Sequence, residues 1–79
     1  KERLAATLLH LNDISGSDEE GVLNIQLSRE EIAAMVGTAT ESCIRLLSEF
    51  KKNNIIDLVG KKIILKDLKS LHRISNSEL

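Results

Sequence analysis

Residues 27–58 read LSREEIAAMVGTATESCIRLLSEFKKNNIIDL, and their apolar, capping and glycine positions describe a helix, a tight turn and a second helix. Ser28 with Glu31 three places on has the spacing of a capping box, in which hydroxyl and carboxylate each satisfy a backbone donor left unpaired at a helix start. Ile32, Met35 and Val36 then recur at helical intervals, with Ala33 and Ala34 between them. Gly37 ends that helix, because glycine enters the left-handed conformation without a Cβ penalty. Ala33, four residues earlier, is small enough for two helices to approach closely. Thr38 or Thr40 is placed to cap the next helix, about residues 39–50, where Cys43, Leu46, Leu47 and Phe50 repeat at threes and fours. Helix, glycine turn, helix is the helix-turn-helix signature.

Downstream lies IIDLVGKKIILKD, residues 55–67, in which Ile55–Val59 and Lys62–Lys66 flank Gly60-Lys61 at the spacing of a tight hairpin. Asp67 is placed to cap a short last helix whose Leu68, Leu71 and Ile74 pack on the core, and the tail SNSEL, residues 75–79, is expected to fray. Upstream, Leu4, Leu8 and Leu11 make one stripe with Leu9 beside it, predicting a helix over roughly residues 1–12. A polar loop, ISGSDEEG, follows at residues 14–21. Leu23, Ile25 and Leu27 then alternate with Asn24 and Gln26, which predicts a half-buried strand over residues 22–27. The predicted class is α+β, a single domain over residues 1–79 in the order helix–strand–helix–turn–helix–β-hairpin wing–short helix. That is a winged helix-turn-helix, a fold whose second helix is built to lie in the major groove of DNA.

Composition excludes several other functions. With one phenylalanine and no tyrosine or tryptophan, the chain has almost no aromatic platform for stacking single-stranded bases. No apolar run approaches membrane-spanning length and nothing resembles a secretory signal, so no membrane partner is expected. The single cysteine forms no internal disulfide, which fits a cytoplasmic location. His10 and His72 fall on separate helices without zinc-site spacing, so no metal ligands are assigned. Cys43 reads as a small core residue. No nucleophile–base pair and no glycine-rich phosphate loop points to an enzyme. The net charge is −1, but residues 1–37 hold three cations against seven anions, net −4, whereas residues 38–79 hold eight against five, net +3. The basic half carries the second helix and the hairpin, which supports nucleic-acid binding, although lysines flanking a helix are also what any solubilised surface carries.

If Cys43, Leu46, Leu47 and Phe50 face the core, then Thr40, Glu41, Ser42, Arg45 and Glu49 face elsewhere. Glu41 and Arg45, four apart, share a side of the helix and are open to two readings. One is a solvated ion pair worth a few tenths of a kcal/mol. The other is base reading, with arginine on guanine O6/N7 and glutamate on cytosine N4.

The segments LSREEIAAMVGTATESCIRLLSEFKKNNII and GKKIILKDLKSL, with the leading helix RLAATLLHL, resemble the C-terminal winged helix of the cyclic-AMP receptor/fumarate-nitrate regulator (Crp/Fnr) transcription factors. The most specific elements are Ser28-Arg29, the Val36-Gly37 turn and Glu41-Ser42-x-x-Arg45. The resemblance implies sequence-specific binding of double-stranded DNA in bacterial transcription regulation, with a winged helix serving protein–protein contact as the alternative. It implies base reading by Glu41 and Arg45, with Thr40 standing where many cyclic-AMP receptor proteins carry a base-reading arginine. Phosphate contacts fall to Ser28, Arg29 and Ser42 and to the wing residues Lys61 and Lys62. Two positions depart from the pattern: Ala39 replaces a frequent hydroxyl residue, and Ile44 stands where small residues are common. Ile44 reads as packing at the core rim, with contact to a thymine methyl as the second possibility. The chain starts at Lys1 rather than Met, so a longer regulator is expected. The resemblance places in its N-terminal part a sensor for a cyclic nucleotide or other effector, and a homodimerising helix. This domain itself needs no cofactor. In such a protein the loop holding Asp18, Glu19 and Glu20 is a candidate contact for RNA polymerase.

Overall fold

A computed structural model describes residues 1–76 of the 79-residue chain. The elements run α1 (Glu2–Ser15), α2 (Arg29–Val36), α3 (Thr40–Lys52), β1 (Ile56–Val59), β2 (Lys62–Leu65) and α4 (Leu68–Ser75). The strands pair antiparallel with Ile56 opposite Leu65 and Val59 opposite Lys62, so Gly60-Lys61 is a two-residue hairpin turn. α1 packs on α4 and α2, α2 on α3, and α3 on β1. Among the described residues no helix is long and apolar enough to cross a membrane.

The core follows the sequence stripes. Leu4, Leu8 and Leu11 of α1, Ile32, Ala33 and Val36 of α2, and Cys43, Leu47 and Phe50 of α3 meet beneath Ile56, Ile63 and Leu65 of the hairpin and Leu71 of α4. Each large side chain so buried contributes about 1.5–3 kcal/mol, and among the described residues no polar or charged side chain is buried with them. The capping box at α2 is complete: Glu31 N donates to Ser28 Oγ at 3.0 Å and Ser28 N donates to Glu31 Oε1 at 2.8 Å. Asp67 caps α4, accepting from Ser70 N at 3.0 Å and from Ser70 Oγ at 2.6 Å.

Several expectations are corrected. α1 extends three residues past the predicted end, to Ser15, where Gly16 at φ 73° stops it with its amide on Asn12 O. The strand expected over residues 22–27 does not form. Val22 bridges Ile64 and Leu23 bridges Ser17, and the chain then leaves the sheet. β2 is four residues long, so its free edge offers little more than Ile63 O to Leu23 N and Leu65 N to Gly21 O. Leu23 is buried while Ile25 and Leu27 only half bury against the core, so alternation is satisfied by packing without a ladder. Met35 and Leu68 are exposed: α2 buries the Ile32–Ala33–Val36 stripe, and Leu68 sits at the first position of α4, beyond the core edge. Neither Thr38 nor Thr40 caps α3. Its N-cap is Ala39, with no side-chain hydrogen bond, because Thr38 N closes the α2 end on Ala33 O and Thr40 is already helical. Of the tail expected to fray, Ser75 is the last residue of α4 and Asn76 its cap, and residues 77–79 lie outside the described residues.

Gly21 is required by contact as well as by conformation. Its φ is 88°, and a Cβ there would lie 2.5 Å from Leu65 O. Gly21→Ala is therefore expected to cost more than about 1 kcal/mol, read as a fall in the urea midpoint without a change in slope. The caps add an acid-sensitive contribution to stability. Glu31 is held below its ordinary value of 4.5 by the backbone and side-chain hydrogen bonds from Ser28, with Lys61 adding attraction. Asp67 is held below 3.8, chiefly by the side-chain and backbone bonds from Ser70. A carboxylate with a lowered folded pKa stabilises above its unfolded value and loses that contribution as pH falls through the folded one. Thermal midpoints should therefore fall as pH drops below about 5. Glu31→Gln should flatten that fall, and Ser28→Ala should cost about 0.5–2 kcal/mol at neutral pH.

Candidate nucleic-acid interface

With Cys43, Leu47 and Phe50 turned inward, α3 presents Glu41, Ile44, Arg45 and Ser48 to solvent, and half exposes Thr40 and Ser42. Glu41 and Arg45 share this face without pairing. Ion pairs among the described residues include Lys1–Glu49 at 3.0 Å and Lys51–Asp57 at 3.9 Å. Glu49 is thus engaged by the start of the chain, while the Glu41 carboxylate and the Arg45 guanidinium have no protein partner among the described residues. The ion-pair reading of these two residues is not realised.

Beside this face, Leu27, Ser28, Arg29, Glu30, Thr40, Ile44, Gly60 and Lys61 border an open cleft of about 350 Å³. Three elements meet there: the start of α2, the first half of α3 and the tip of the hairpin. The cleft therefore brings Ser28, Arg29, Thr40 and Lys61 together, whereas Glu41, Ser42, Arg45 and Lys62 lie outside its lining. Arg29 Nη2 donates to Gly60 O at 3.1 Å, tying the start of α2 to the wing across 31 positions of sequence. Ile44 is corrected here. It does not pack at the core rim but is 46% exposed and lines the cleft.

Unused donors lie in the cleft and just beside it. Ser28 Oγ accepts from Glu31 N, which leaves its own hydroxyl proton free to donate outward. The amides of Arg29 and Glu30, and those of Thr40, Glu41 and Ser42, have no acceptor among the described residues. Two helix N-termini, each with the positive end of its dipole, thus flank the same opening, an arrangement that favours anions. The second of these sites was not foreseen. Its only signal in the sequence is Ala39, an N-cap with no oxygen to occupy the amides that follow it. Burial pushes the Cys43 thiol up, against an opposing pull from the Arg29 charge, so this cysteine stays a neutral core group. Among the described residues no group of three or more histidine, cysteine, aspartate or glutamate side chains is placed to hold a metal. In the polar loop Asp18 Oδ1 accepts from Glu20 N and Val22 N, while Asp18, Glu19 and Glu20 all remain exposed.

A capped α2, a tight turn, an α3 with unpaired polar side chains and a hairpin wing that shares its cleft define a winged helix-turn-helix DNA-binding domain of a transcription regulator. The family model for the Crp-like helix-turn-helix domain matches residues 2–74, and the chain belongs to that family. It is 33% identical to the transcriptional regulator SdrP of Thermus thermophilus, over 98% of this chain and 39% of that protein. It is 36% identical to the CRP-like cAMP-activated global transcriptional regulator of Mycobacterium tuberculosis, over 90% of this chain and 33% of that protein. The CO-dependent transcription factor CooA from Carboxydothermus hydrogenoformans superposes with a TM-score of 0.82 at 36% identity, covering 95% of this chain and 36% of that one. The chain thus spans 33–39% of the length of these relatives. The family acts in transcription regulation through sequence-specific DNA binding and not through enzymatic turnover, so protein docking is not the favoured reading of this winged helix.

The Arg29–Gly60 bond predicts a measurable wing effect. Arg29→Ala should speed amide hydrogen exchange at residues 60–62 while changing global stability by less than about 0.5 kcal/mol, since the bond is exposed. Equal exchange in the two proteins would show that the hairpin holds its position unaided.

Proposed function

We propose that this domain reads double-stranded DNA with Thr40, Glu41 and Arg45 on base edges, while Ser28, Arg29, Ser42, Lys61 and Lys62 hold the phosphate backbone. The observation that carries the reading is that Glu41 and Arg45 have no partner among the described residues and stand beside a cleft bordered by free donors. Arginine offers two parallel donors to guanine O6 and N7, and a carboxylate accepts from cytosine N4, so the two side chains are suited to adjacent base pairs. Phosphate contacts then set register without carrying sequence information.

Two copies related by a two-fold axis would read half-sites about 34 Å apart, one turn of the duplex. The domain's Cα extents of 29 × 26 × 25 Å fit within that repeat. The homodimer, a cytoplasmic location, an effector-binding sensor domain taking a cyclic nucleotide or other ligand, and contact of the Asp18–Glu20 loop with RNA polymerase belong to the same reading. They rest on kinship with regulators that are about three times as long.

The test is selection of bound duplexes from a random library, with the domain fused to a neutral dimerising helix. A two-fold-symmetric motif is expected. Arg45→Ala should cost about 1–3 kcal/mol on that motif and relax the choice at one base pair. Lys62→Ala should weaken binding to every sequence and lower the salt slope by about one. Equal losses on selected and random DNA for Arg45→Ala would remove the base-reading assignment.

A further inference from the structure

Glu49 stands in the last turn of α3, where the negative end of the helix dipole disfavours an anion. A carboxylate there gains from a cation, and three are placed to supply one. Arg45 is four residues back and Lys52 three residues on, both at the spacing at which side chains on a helix meet. The third is Lys1, and it is the one that Glu49 takes, with Lys1 Nζ 3.0 Å from Glu49 Oε1. α1 packs chiefly on α4 and α2. The Lys1 side chain therefore makes a separate reach to α3, beside a cleft that the first turn of α1 shares with Leu46. Arg45 gains from that reach. Glu41, four residues before Arg45, lies in the first turn, where the dipole and the free amides of Thr40, Glu41 and Ser42 attract its carboxylate instead. Glu49 has no such attraction at its own end of the helix. Parted from Lys1, it is the anion that gains most from the Arg45 guanidinium, and a guanidinium so engaged has fewer donors to offer DNA.

We propose that Lys1 is a positioning residue for recognition: by holding Glu49 it leaves the Arg45 guanidinium unpaired and free for a base. The proposal rests on the base-reading assignment of Arg45, and its test has one arm without DNA. In the free chain the Arg45 Nε–H resonance should ignore Glu49→Gln. In Lys1→Ala that resonance should move, and adding Glu49→Gln should return it to its parent position. The DNA arm compares random duplex with the duplex that the chain enriches from a random library at low salt. Lys1→Ala should lower the preference for the enriched duplex about twofold, the worth of one ion pair at this spacing on a helix. Glu49→Gln should restore the preference in Lys1→Ala, and Lys1→Arg should keep it. In an Arg45→Ala background Lys1→Ala should leave the preference unchanged, which separates positioning from a general loss of positive charge. An Arg45 resonance that ignores Lys1→Ala, with Glu49 turned to Lys52 or to water, overturns the role of Lys1 and leaves base reading intact. So does a lost preference that Glu49→Gln fails to restore. Enrichment of no sequence, or an Arg45→Ala chain that prefers the enriched duplex as strongly as the parent does, overturns base reading and the proposal with it.

Discussion

The direction in which α3 leaves α2 is set at one carbonyl. Ala33 O accepts the amides of both Gly37 and Thr38, at 2.8 and 3.0 Å, with Gly37 in the left-handed region at φ 85°. That closure consumes the amide of Thr38 and allows three residues between the helices, so α3 begins at once and at a fixed angle. Ala33 is itself buried, so the small side chain permits the crossing that its carbonyl then locks. Everything that faces outward on α3 depends on this, since Cys43, Leu47 and Phe50 can all turn inward only at that angle. The exposed row from Thr40 to Ser48 is the geometric complement of that burial.

The wing is held from two sides, by backbone on one and by an arginine side chain on the other. On one side the Gly21 carbonyl accepts Leu65 N at 2.8 Å, with the two backbone segments too close for any Cβ at Gly21. On the other, Arg29 reaches across to Gly60 O. A two-stranded hairpin is marginal alone in water, and these attachments, with Ile63 and Leu65 buried on the helical core, let four-residue strands hold a loop beside α3. The same arginine is a candidate phosphate ligand. Its bond to Gly60 uses one of five donors, so positioning the wing and binding an anion are compatible roles for it.

The helices and the hairpin were legible in the sequence because each carries local instructions. The Ser28–Glu31 box, the Gly37 turn, Asp67 at a helix start and Gly60-Lys61 between two apolar runs all specify structure within four residues. What escaped was decided by partners distant in sequence. The alternation over residues 22–27 signals a buried side, but a ladder needs a free edge, and β2 lends only a residue or two of its own. Met35 and Leu68 fit helical spacing, yet the widths of short helices and of the core left them outside. Within the site, the shared face of Glu41 and Arg45 was readable from spacing. That they stand unpaired, that Arg29 bonds the wing and that Ile44 lines a cleft were not, because each depends on rotamers or on contacts across the fold. The uncapped α3 is a different case: Ala39 was visible as a departure, and its meaning emerged only once Thr38 was found bonded to α2.

A domain of net charge −1 gains little from the diffuse attraction that usually draws proteins to DNA. Its positive potential must come from local sources, and the cleft supplies them in a form that formal charge does not count. Five backbone amides at two helix N-termini, in the cleft and beside it, have no acceptor among the described residues, and they act with Arg29 and Lys61 over a short range. Such donors are fixed in direction, so they discriminate between a phosphate seated at the helix ends and one elsewhere, whereas a field of flexible lysines does not. Weak attraction at a distance and strong directional contact at close range together lower affinity for random sequence more than affinity for a fitted site. Near-neutrality is thus compatible with a DNA-binding domain, and it shifts the burden of recognition onto the few side chains that α3 holds outward.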